Sequence, residues 1–227
     1  MRIGKKFSMK CVKFGFCFTG FLFINSVCNG QALNYFLLRE AYVHEGGSYV
    51  LSSTGTPEDL IHNSDTILAK SKSGSYCSGF TFYLLFNTLK ENGLLEGYTK
   101  SELKRIQKEW YGNTKEAFET QCLYVLEKEK LGRKVEWEDA EPGDFVQFWR
   151  NNKSGHSVLF LGWERDSVGV ISGLKYRSSQ TKTDGIGDRI EAIGTGPKDI
   201  NRWRLYIARL EKSEETFSEN PFSGQKN

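Results

Sequence analysis

Residues 77–90 read CSGFTFYLLFNTLK, a stretch in which nearly every side chain is apolar. Asn92 and Gly93 follow it and are typical of a helix end. A helix that is apolar on all sides is stable only when the rest of the protein covers it. The stretch therefore predicts a buried central helix that begins at Cys77.

Further helices are predicted on both sides of this central helix. Leu33–His44 has the pattern of an amphipathic helix. Thr56 is a good N-cap and Pro57 suits a first helical position, so a short helix is expected to begin there. Thr99–Trp110 and Thr114–Leu131 alternate charged and apolar residues at a period of about 3.6, which predicts two outer helices.

The second half of the chain has a different pattern, in which apolar, β-rich segments are separated by turns. Residues 158–162 (VLFLG) are apolar on both faces, so the sheet is expected to be covered on both sides. Helices followed by an antiparallel sheet define an α+β fold. One domain is predicted over residues 33–210, followed by a mobile polar tail at 211–227. The predicted strands are Gly143–Trp149, His156–Trp163, Ser167–Tyr176 and Trp203–Leu210.

Composition excludes several classes of protein. With 38% hydrophobic and 26% charged residues, the 227-residue chain is neither a disordered tail nor a multi-span membrane protein. Residues 1–32 hold five of its 31 basic residues and none of its 28 acidic ones. The remainder therefore carries 26 bases, 28 acids and a formal charge of −2. No basic surplus points to nucleic acid.

The first 32 residues have the layout of a secretory signal peptide. Basic residues come first, Val12–Ile24 is a short apolar run, and small residues precede Ala32, after which cleavage is expected. The run is shorter than the roughly 20 residues that a membrane-spanning helix needs. Export to the periplasm or the extracellular space is therefore predicted. Lipid attachment at Cys28 is the alternative.

Cleavage there leaves two cysteines, which have different surroundings. Cys122 recurs at helical spacing with Phe118, Val125 and Leu126, so it is expected to be a buried core thiol that does not bridge to Cys77. Cys77 lies where a Gly- and Ser-rich loop meets an apolar helix. A helix N-terminus stabilises a thiolate through its unpaired N–H groups, so Cys77 is the predicted nucleophile.

Three histidines remain as candidate bases. His44 ends an amphipathic helix and His62 falls in a polar segment read as helical, so both are interpreted as surface residues. His156 begins a predicted strand directly after a turn and is expected to point into a cleft. The pairing of Cys77 with His156 is typical of nucleophilic catalysis. Ser78 and Gly79 are small and are expected to leave room for a substrate carbonyl.

At these residues the sequence resembles a known family. Residues 76–80 (YCSGF), followed by an apolar helix, resemble the nucleophile motif of the NlpC-like cell-wall cysteine hydrolases, which usually read Asp-Cys-Ser-Gly-Phe. Residues 141–148 (EPGDFVQF) and 155–162 (GHSVLFLG) resemble that family's second signature, in which the histidine is the base. The resemblance covers roughly residues 45–210. It implies a papain-like fold with the cysteine on a central helix and the histidine on the facing sheet.

The resemblance also implies further site residues. A third polar residue should orient the histidine, and Gln180 is the first choice because its amide can accept from the imidazole. Ser178 and Ser179 are the alternatives. Tyr49 resembles the family's tyrosine near the oxyanion, although a core tyrosine fits almost as well. Tyr76 departs from the usual Asp, and residues 92–135 form a long helical insertion.

The functional prediction is an exported cysteine hydrolase that cleaves amide bonds in peptidoglycan stem peptides. The alternatives are a non-catalytic peptide- or glycan-binding module and an acyl transferase with the same Cys–His pair. No cofactor, metal or nucleic-acid partner is expected, and the chain is expected to act as a monomer. The tryptophans are interpreted as residues of the core and rim. Trp149 and Trp163 flank the Gly-His strand and are candidates to line the cleft. Residues 181–188 are a candidate loop at one end of the cleft.

Overall fold

The computed structural model describes residues 33–212. The predicted signal peptide and the predicted tail beyond residue 212 lie outside this range. Four helices are present in the described part, and none of them is long and apolar enough to cross a membrane. They are α1 (residues 33–41), α2 (Cys77–Glu91), α3 (Lys100–Trp110) and α4 (Cys122–Lys128).

The β-strands form one large sheet and one small hairpin, and all of their pairings are antiparallel. The strands are β1 (Gly46–Gly47), β2 (Leu60–His62), β3 (Asp65–Leu68), β4 (Gly132–Val135), β5 (Phe145–Arg150), β6 (Gly155–Arg165), β7 (Ile171–Gln180), β8 (Gly185–Ala192) and β9 (Ile200–Leu210). The large sheet has the order β1-β8-β7-β6-β5-β9-β4, and β2 pairs with β3. The predicted α+β class is confirmed.

The large sheet is buried on both faces. Leu159 and Phe145 pack with the helices on one face, whereas Val158, Phe160 and Tyr176 belong to a second apolar cluster on the other face. This arrangement confirms the prediction from the two-sided apolar pattern of residues 158–162. The central strands therefore have apolar side chains buried on both of their faces.

Helix α2 is the central buried helix that its sequence predicts. Eleven of its fifteen residues are buried, and it ends at Asn92. Gly79 lies against the backbone of Gly55, because a Cβ at Gly79 would come within 2.3 Å of the Gly55 carbonyl carbon. The expectation that Gly79 leaves room for substrate is therefore wrong, since the space beside it is filled by the protein's own backbone.

The Pro-Gly-Asp turn before β5 has a structural role. Asp144 is fully buried, and its carboxylate accepts hydrogen bonds from the Arg209 guanidinium at 2.8 and 2.9 Å. It also accepts from the Asn34 amide at 3.0 Å and from the backbone N–H of Glu141 at 2.8 Å. Gly143 has φ +100°, and a Cβ there would meet the Asn34 backbone. The turn thus fastens α1 to the strands that carry the site.

The short helix predicted at Thr56 is absent from the structure. The Thr56 hydroxyl donates to the carbonyl of Ala69 instead of capping a helix, and Ser71 N–H donates to the Thr56 carbonyl. These bonds hold the segment extended, and Leu60–His62 then forms β2. Hydrogen bonding to Ala69 and Ser71 therefore outweighs the capping pattern of the segment. His62 is accordingly on a hairpin strand and not on a helix.

The helix predicted over Thr114–Leu131 is also shorter than expected. Only Cys122–Lys128 is α-helical, because Gln121 has φ 36° and ψ −95°, which cannot continue a helix. Residues 114–121 form turns. Phe118 is 52% exposed and packs on Trp149 at 4.9 Å, so it does not share a buried face with Cys122.

Several strands were not predicted from the sequence. Residues 181–188 are predicted to form a loop, yet Gly185–Ala192 forms β8 and pairs with β7 over eight residue pairs. The glycine at 185 allows close packing, since a Cβ there would lie 2.1 Å from the Gly46 carbonyl oxygen. Strand β4, inside the predicted helical insertion, pairs with β9. Strand β4 has four residues and lies at the edge of the sheet, so its sequence pattern is weak.

Candidate active site

The N-terminus of α2 meets the beginning of β6 and the end of β7. This junction brings together three predicted residues, Cys77, His156 and Gln180, which are up to 103 positions apart in the chain. A pocket of about 190 Å³ opens at the cysteine. It is lined by Cys77, Ser78, Gln121, Gln147, Trp149, Gly155, His156 and Ser157.

Cys77 is a partly exposed residue, and the groups around its thiol lower the pKa. Burial raises its pKa, but the charge of His156 and a hydrogen bond from the His156 side chain outweigh that effect. Hydrogen bonds from the Ser157 backbone and the Ser78 side chain add to the lowering, and the pKa falls to about 7. Near neutral pH a large fraction of the thiol is therefore the nucleophilic thiolate.

Gln180 orients the imidazole of His156. Its Oε1 lies 3.2 Å from Nε2 of His156, a separation suited to a hydrogen bond. The Gln180 amide nitrogen donates to Thr183 Oγ1 at 2.8 Å and to the carbonyl of Gly187 at 3.2 Å. Because a carbonyl can only accept, these contacts fix the amide with Oε1 toward the histidine. Nε2 of His156 must then carry a proton, which leaves Nδ1 to exchange a proton with the thiol.

The two serine alternatives to Gln180 have other partners. The Ser178 hydroxyl donates to the Ser157 carbonyl at 2.7 Å. The Ser179 hydroxyl accepts from the Ser75 hydroxyl at 2.8 Å. The first hydrogen bond links β7 to β6, and the second links β7 to the loop before α2. Of the three candidates, Gln180 is the one with a hydrogen-bonding contact to His156.

Aromatic rings hold the other faces of His156. Phe148 and Tyr176 each pack edge-to-face on the imidazole with centroids 5.6 Å apart. The Tyr176 hydroxyl donates to the Glu191 carboxylate at 2.9 Å, and the Arg150 guanidinium forms a bidentate ion pair with the same carboxylate. This buried network fixes Tyr176, so the histidine ring has little freedom to rotate.

The beginning of α2 can also stabilise negative charge on a bound carbonyl oxygen. The first backbone bond of the helix runs from Phe80 N–H to the Tyr76 carbonyl at 2.9 Å. The N–H groups of the three residues between them are thus outside the intrahelical pattern and point out of the helix end. Ser78 is buried beside Cys77, with its Oγ 3.9 Å from the Cys77 Sγ.

Tyr49, the residue predicted at the oxyanion, is near enough to Cys77 for the two groups to affect each other's charge, but it is not among the residues that line the pocket. It forms an isolated bridge with Ser75, two residues before Cys77. Burial, followed by the charge of Cys77, raises the pKa of Tyr49 to about 12. The phenol therefore keeps its proton at neutral pH and is able to donate a hydrogen bond.

Tyr76, at the position where the resemblance led us to expect an aspartate, packs against neighbouring residues. Its ring lies against Gly55, where a Cβ would come within 2.4 Å of it. It also contacts the ring of Tyr111 edge-to-face at 5.6 Å. The Tyr111 hydroxyl donates to the Thr54 carbonyl at 2.6 Å. Tyr76 thus packs the loop that precedes Cys77 against Gly55 and Tyr111.

The remaining predicted residues divide between the site and other regions. Trp149 lines the pocket and its ring covers Gly155, whereas Trp163 stacks on Trp137 away from it. Trp203 is 87% exposed, so its interpretation as core or rim is wrong. His44 lies 3.2 Å from the Tyr83 hydroxyl, outside the pocket.

Sequence reasoning missed three polar residues of the pocket, Gln121, Gln147 and Ser157. Gln147 and Ser157 are opposite one another on β5 and β6, and both are buried. A polar residue inside an otherwise apolar strand was the available signal for each of them. Gln121 had no such signal, because it lies in a segment with a helical pattern.

Within residues 33–212, no group of three or more His, Cys, Asp or Glu side chains is arranged to hold a metal ion. No family model, curated protein or solved structure matches the chain.

Proposed function

We propose that this protein is a cysteine hydrolase that cleaves an amide bond. The observation that carries the proposal is the junction at which Cys77 and His156 line one pocket, where His156 lowers the pKa of the thiol and has its Nε2 3.2 Å from Oε1 of Gln180. A nucleophile, a base and a group that orients the base are the parts that covalent amide hydrolysis requires. The thiol pKa of about 7 suits a nucleophile at neutral pH.

The geometry supports a two-stage reaction. The Cys77 thiolate attacks the amide carbon, and the carbonyl oxygen becomes an oxyanion held by N–H groups of the α2 N-terminus and by the Tyr49 hydroxyl. His156, protonated at this stage, gives its Nδ1 proton to the amide nitrogen, the C–N bond breaks, and a thioester remains on Cys77. Gln180 keeps the imidazole of His156 in one orientation throughout the reaction.

Water then releases the product. Neutral His156 takes a proton from a water molecule, the resulting hydroxide attacks the thioester carbon, and the C–S bond breaks. The products are a carboxylic acid and the regenerated thiolate–imidazolium pair. Each proton taken by Nδ1 is returned in the next step, so the cycle needs no cofactor.

The substrate class in this proposal is the peptide of the bacterial cell wall, and the protein is an exported, papain-like member of the NlpC-like group. Three observations support this. The two sequence blocks that resemble that family carry Cys77 and His156. The cysteine begins a buried helix and the histidine begins a strand of an antiparallel sheet. The first 32 residues have a signal-peptide pattern.

Digestion of purified peptidoglycan tests the proposal. The wild-type protein is expected to release new peptide fragments, identified by mass, and Cys77→Ala is expected to release none while its melting temperature stays within about 2 °C. Cys122→Ala is the matched control and should remain active. Cleavage by Cys77→Ala at the wild-type rate would exclude Cys77 as the nucleophile. An intact wild-type protein that releases no fragments would exclude this substrate class.

A further inference from the structure

The turns that precede α4 form a wall of the pocket. The indole N–H of Trp149 donates to the Glu119 carbonyl at 2.9 Å, and the Phe118 ring packs on Trp149. Arg204 and Tyr206 bind the Glu119 carboxylate at 2.7 to 2.9 Å. These contacts attach the segment firmly to β5 and β9. The departure from helical structure thus places this part of the chain at the candidate active site.

Gln121 lies at the end of this wall and extends into the pocket. Its backbone φ of 36° is unusual for a residue with a side chain, and such conformations persist where surrounding contacts enforce them. Its side chain is buried between Gly112 and Ser157, and the residue is 8% exposed. The amide is therefore held at the pocket and not free to turn toward solvent.

The hydrogen bonds around Ser157 leave one acceptor to be satisfied. The Ser157 hydroxyl lies 2.9 Å from Oε1 of Gln147 and 3.5 Å from Oε1 of Gln121. A hydroxyl has one proton, so it serves one of these two carbonyl oxygens at a time. The other oxygen needs a donor, and a ligand N–H can supply it. Gln147 gives one amide proton to the Phe148 carbonyl at 3.3 Å and keeps a second for an acceptor.

We propose that Gln121, Gln147 and Ser157 form a subsite for an uncharged peptide or primary-amide group next to the bond that Cys77 attacks. The inference rests on the proposed function. Such a group both donates and accepts, and the pocket volume of about 190 Å³ accommodates one. A carboxylate lacks the N–H that the free amide oxygen requires, and the described lining residues include no lysine or arginine to pair with its charge.

Two alkylating reagents with the same leaving group test the subsite. The Cys77 thiolate displaces iodide from both iodoacetamide and methyl iodide, but only iodoacetamide has an amide. The rate of modification at Cys77 is measured by mass for each reagent. We expect Gln121→Leu and Gln147→Leu each to lower the ratio of the iodoacetamide rate to the methyl iodide rate about fivefold to tenfold, as expected for one lost hydrogen bond. Gln107→Leu, on α3 and outside the pocket, is the matched control.

The two rates separate this inference from the proposed function. The subsite would be overturned if the ratio of the iodoacetamide rate to the methyl iodide rate were unchanged in both pocket variants, or if it fell equally in Gln107→Leu. A fast reaction with methyl iodide would in that case still support an activated Cys77. Slow reaction of wild-type Cys77 with both reagents would instead contradict the proposed function. A pocket variant that has lost its fold is recognised by a changed methyl iodide rate. The ratio of the two rates in the other pocket variant then tests the subsite.

Discussion

Cys77 and Cys122 occupy the same kind of position and have opposite chemistry. Each is the first residue of a helix, and both thiols are free. Burial raises the pKa of Cys122 to about 12, and two backbone hydrogen bonds reduce that rise only in part. For Cys77 the groups contributed by the sheet outweigh burial and bring the pKa to about 7. His156 lowers the pKa of Cys77, and no charged side chain of the described residues acts on Cys122 in the same way.

The difference comes from which residues face each thiol. Cys77 begins a 15-residue helix and meets His156 and the Ser157 backbone across an open pocket. Cys122 begins a seven-residue helix and is 1% exposed within the apolar core. Local sequence places both thiols at helix starts. The strand on the other side of the pocket decides which of them is ionised.

Removal of the imidazole should make Cys77 resemble Cys122, and this is the largest effect that we expect. In His156→Ala the thiol loses the charge and hydrogen bond that lower its pKa, whereas burial still raises it, so the pKa should return to 9 or above. The thiolate at pH 7 then falls from about half to about 1%, which lowers the alkylation rate roughly 50-fold.

The pH dependence of that rate is the direct measurement. Wild-type Cys77 should gain reactivity as the pH rises through about 7, because deprotonation creates the nucleophile. His156→Ala should gain it about two pH units higher. Equal midpoints in the two proteins would show that His156 does not control the thiol.

Loss of the group that orients the base should have an intermediate effect. In Gln180→Ala the protonated imidazole loses an acceptor, and a hydrogen bond to a charged group contributes about 1.5–3 kcal/mol. We expect the alkylation rate of Cys77 at pH 7 to fall about tenfold. Ser178→Ala, a change at the neighbouring alternative, should lower it less than twofold. Equal losses in the two variants would indicate general disturbance of β7 in place of a specific role for Gln180.

Truncation of the other thiol should have the smallest effect. Cys122→Ala removes a buried sulfur from the core and should lower the free energy of unfolding by about 1–2 kcal/mol, the ordinary range for a modest core truncation. Urea unfolding measures this change. The alkylation rate of Cys77 should stay the same, since Cys122 does not line the pocket. A slower reaction at Cys77 would mean that the two helix starts are coupled.

Long, strongly patterned segments were predicted well, and segments with distant partners were not. The apolar run of α2 and the alternation of charged and apolar residues in α3 predict these helices within about two residues. Thr56 has a good capping pattern, yet a hydrogen bond to Ala69 draws it into extended structure. The break at Gln121 has no local signal, because packing on β5 and β9 holds that segment.

For the candidate site, the sequence alone predicted the pair of reactive residue types. A cysteine at the start of an apolar helix and a histidine at the start of an apolar strand are local features, so Cys77 and His156 were recognisable as a candidate pair. Their residue types and neighbours required no knowledge of how the chain folds. For the residue that orients His156, the sequence predicted Gln180 as the first choice and left Ser178 and Ser179 as alternatives.

Tertiary structure decided which groups surround that pair. Residues on β5 and on the turns before α4 reach the pocket only because the sheet and the insertion pack around α2, so Gln147 and Gln121 could not be assigned from sequence. The amide of Gln180 is oriented by Thr183 and by the carbonyl of Gly187. Hydrogen bonds depend on distance and direction in space, and those quantities are set when distant segments pack together.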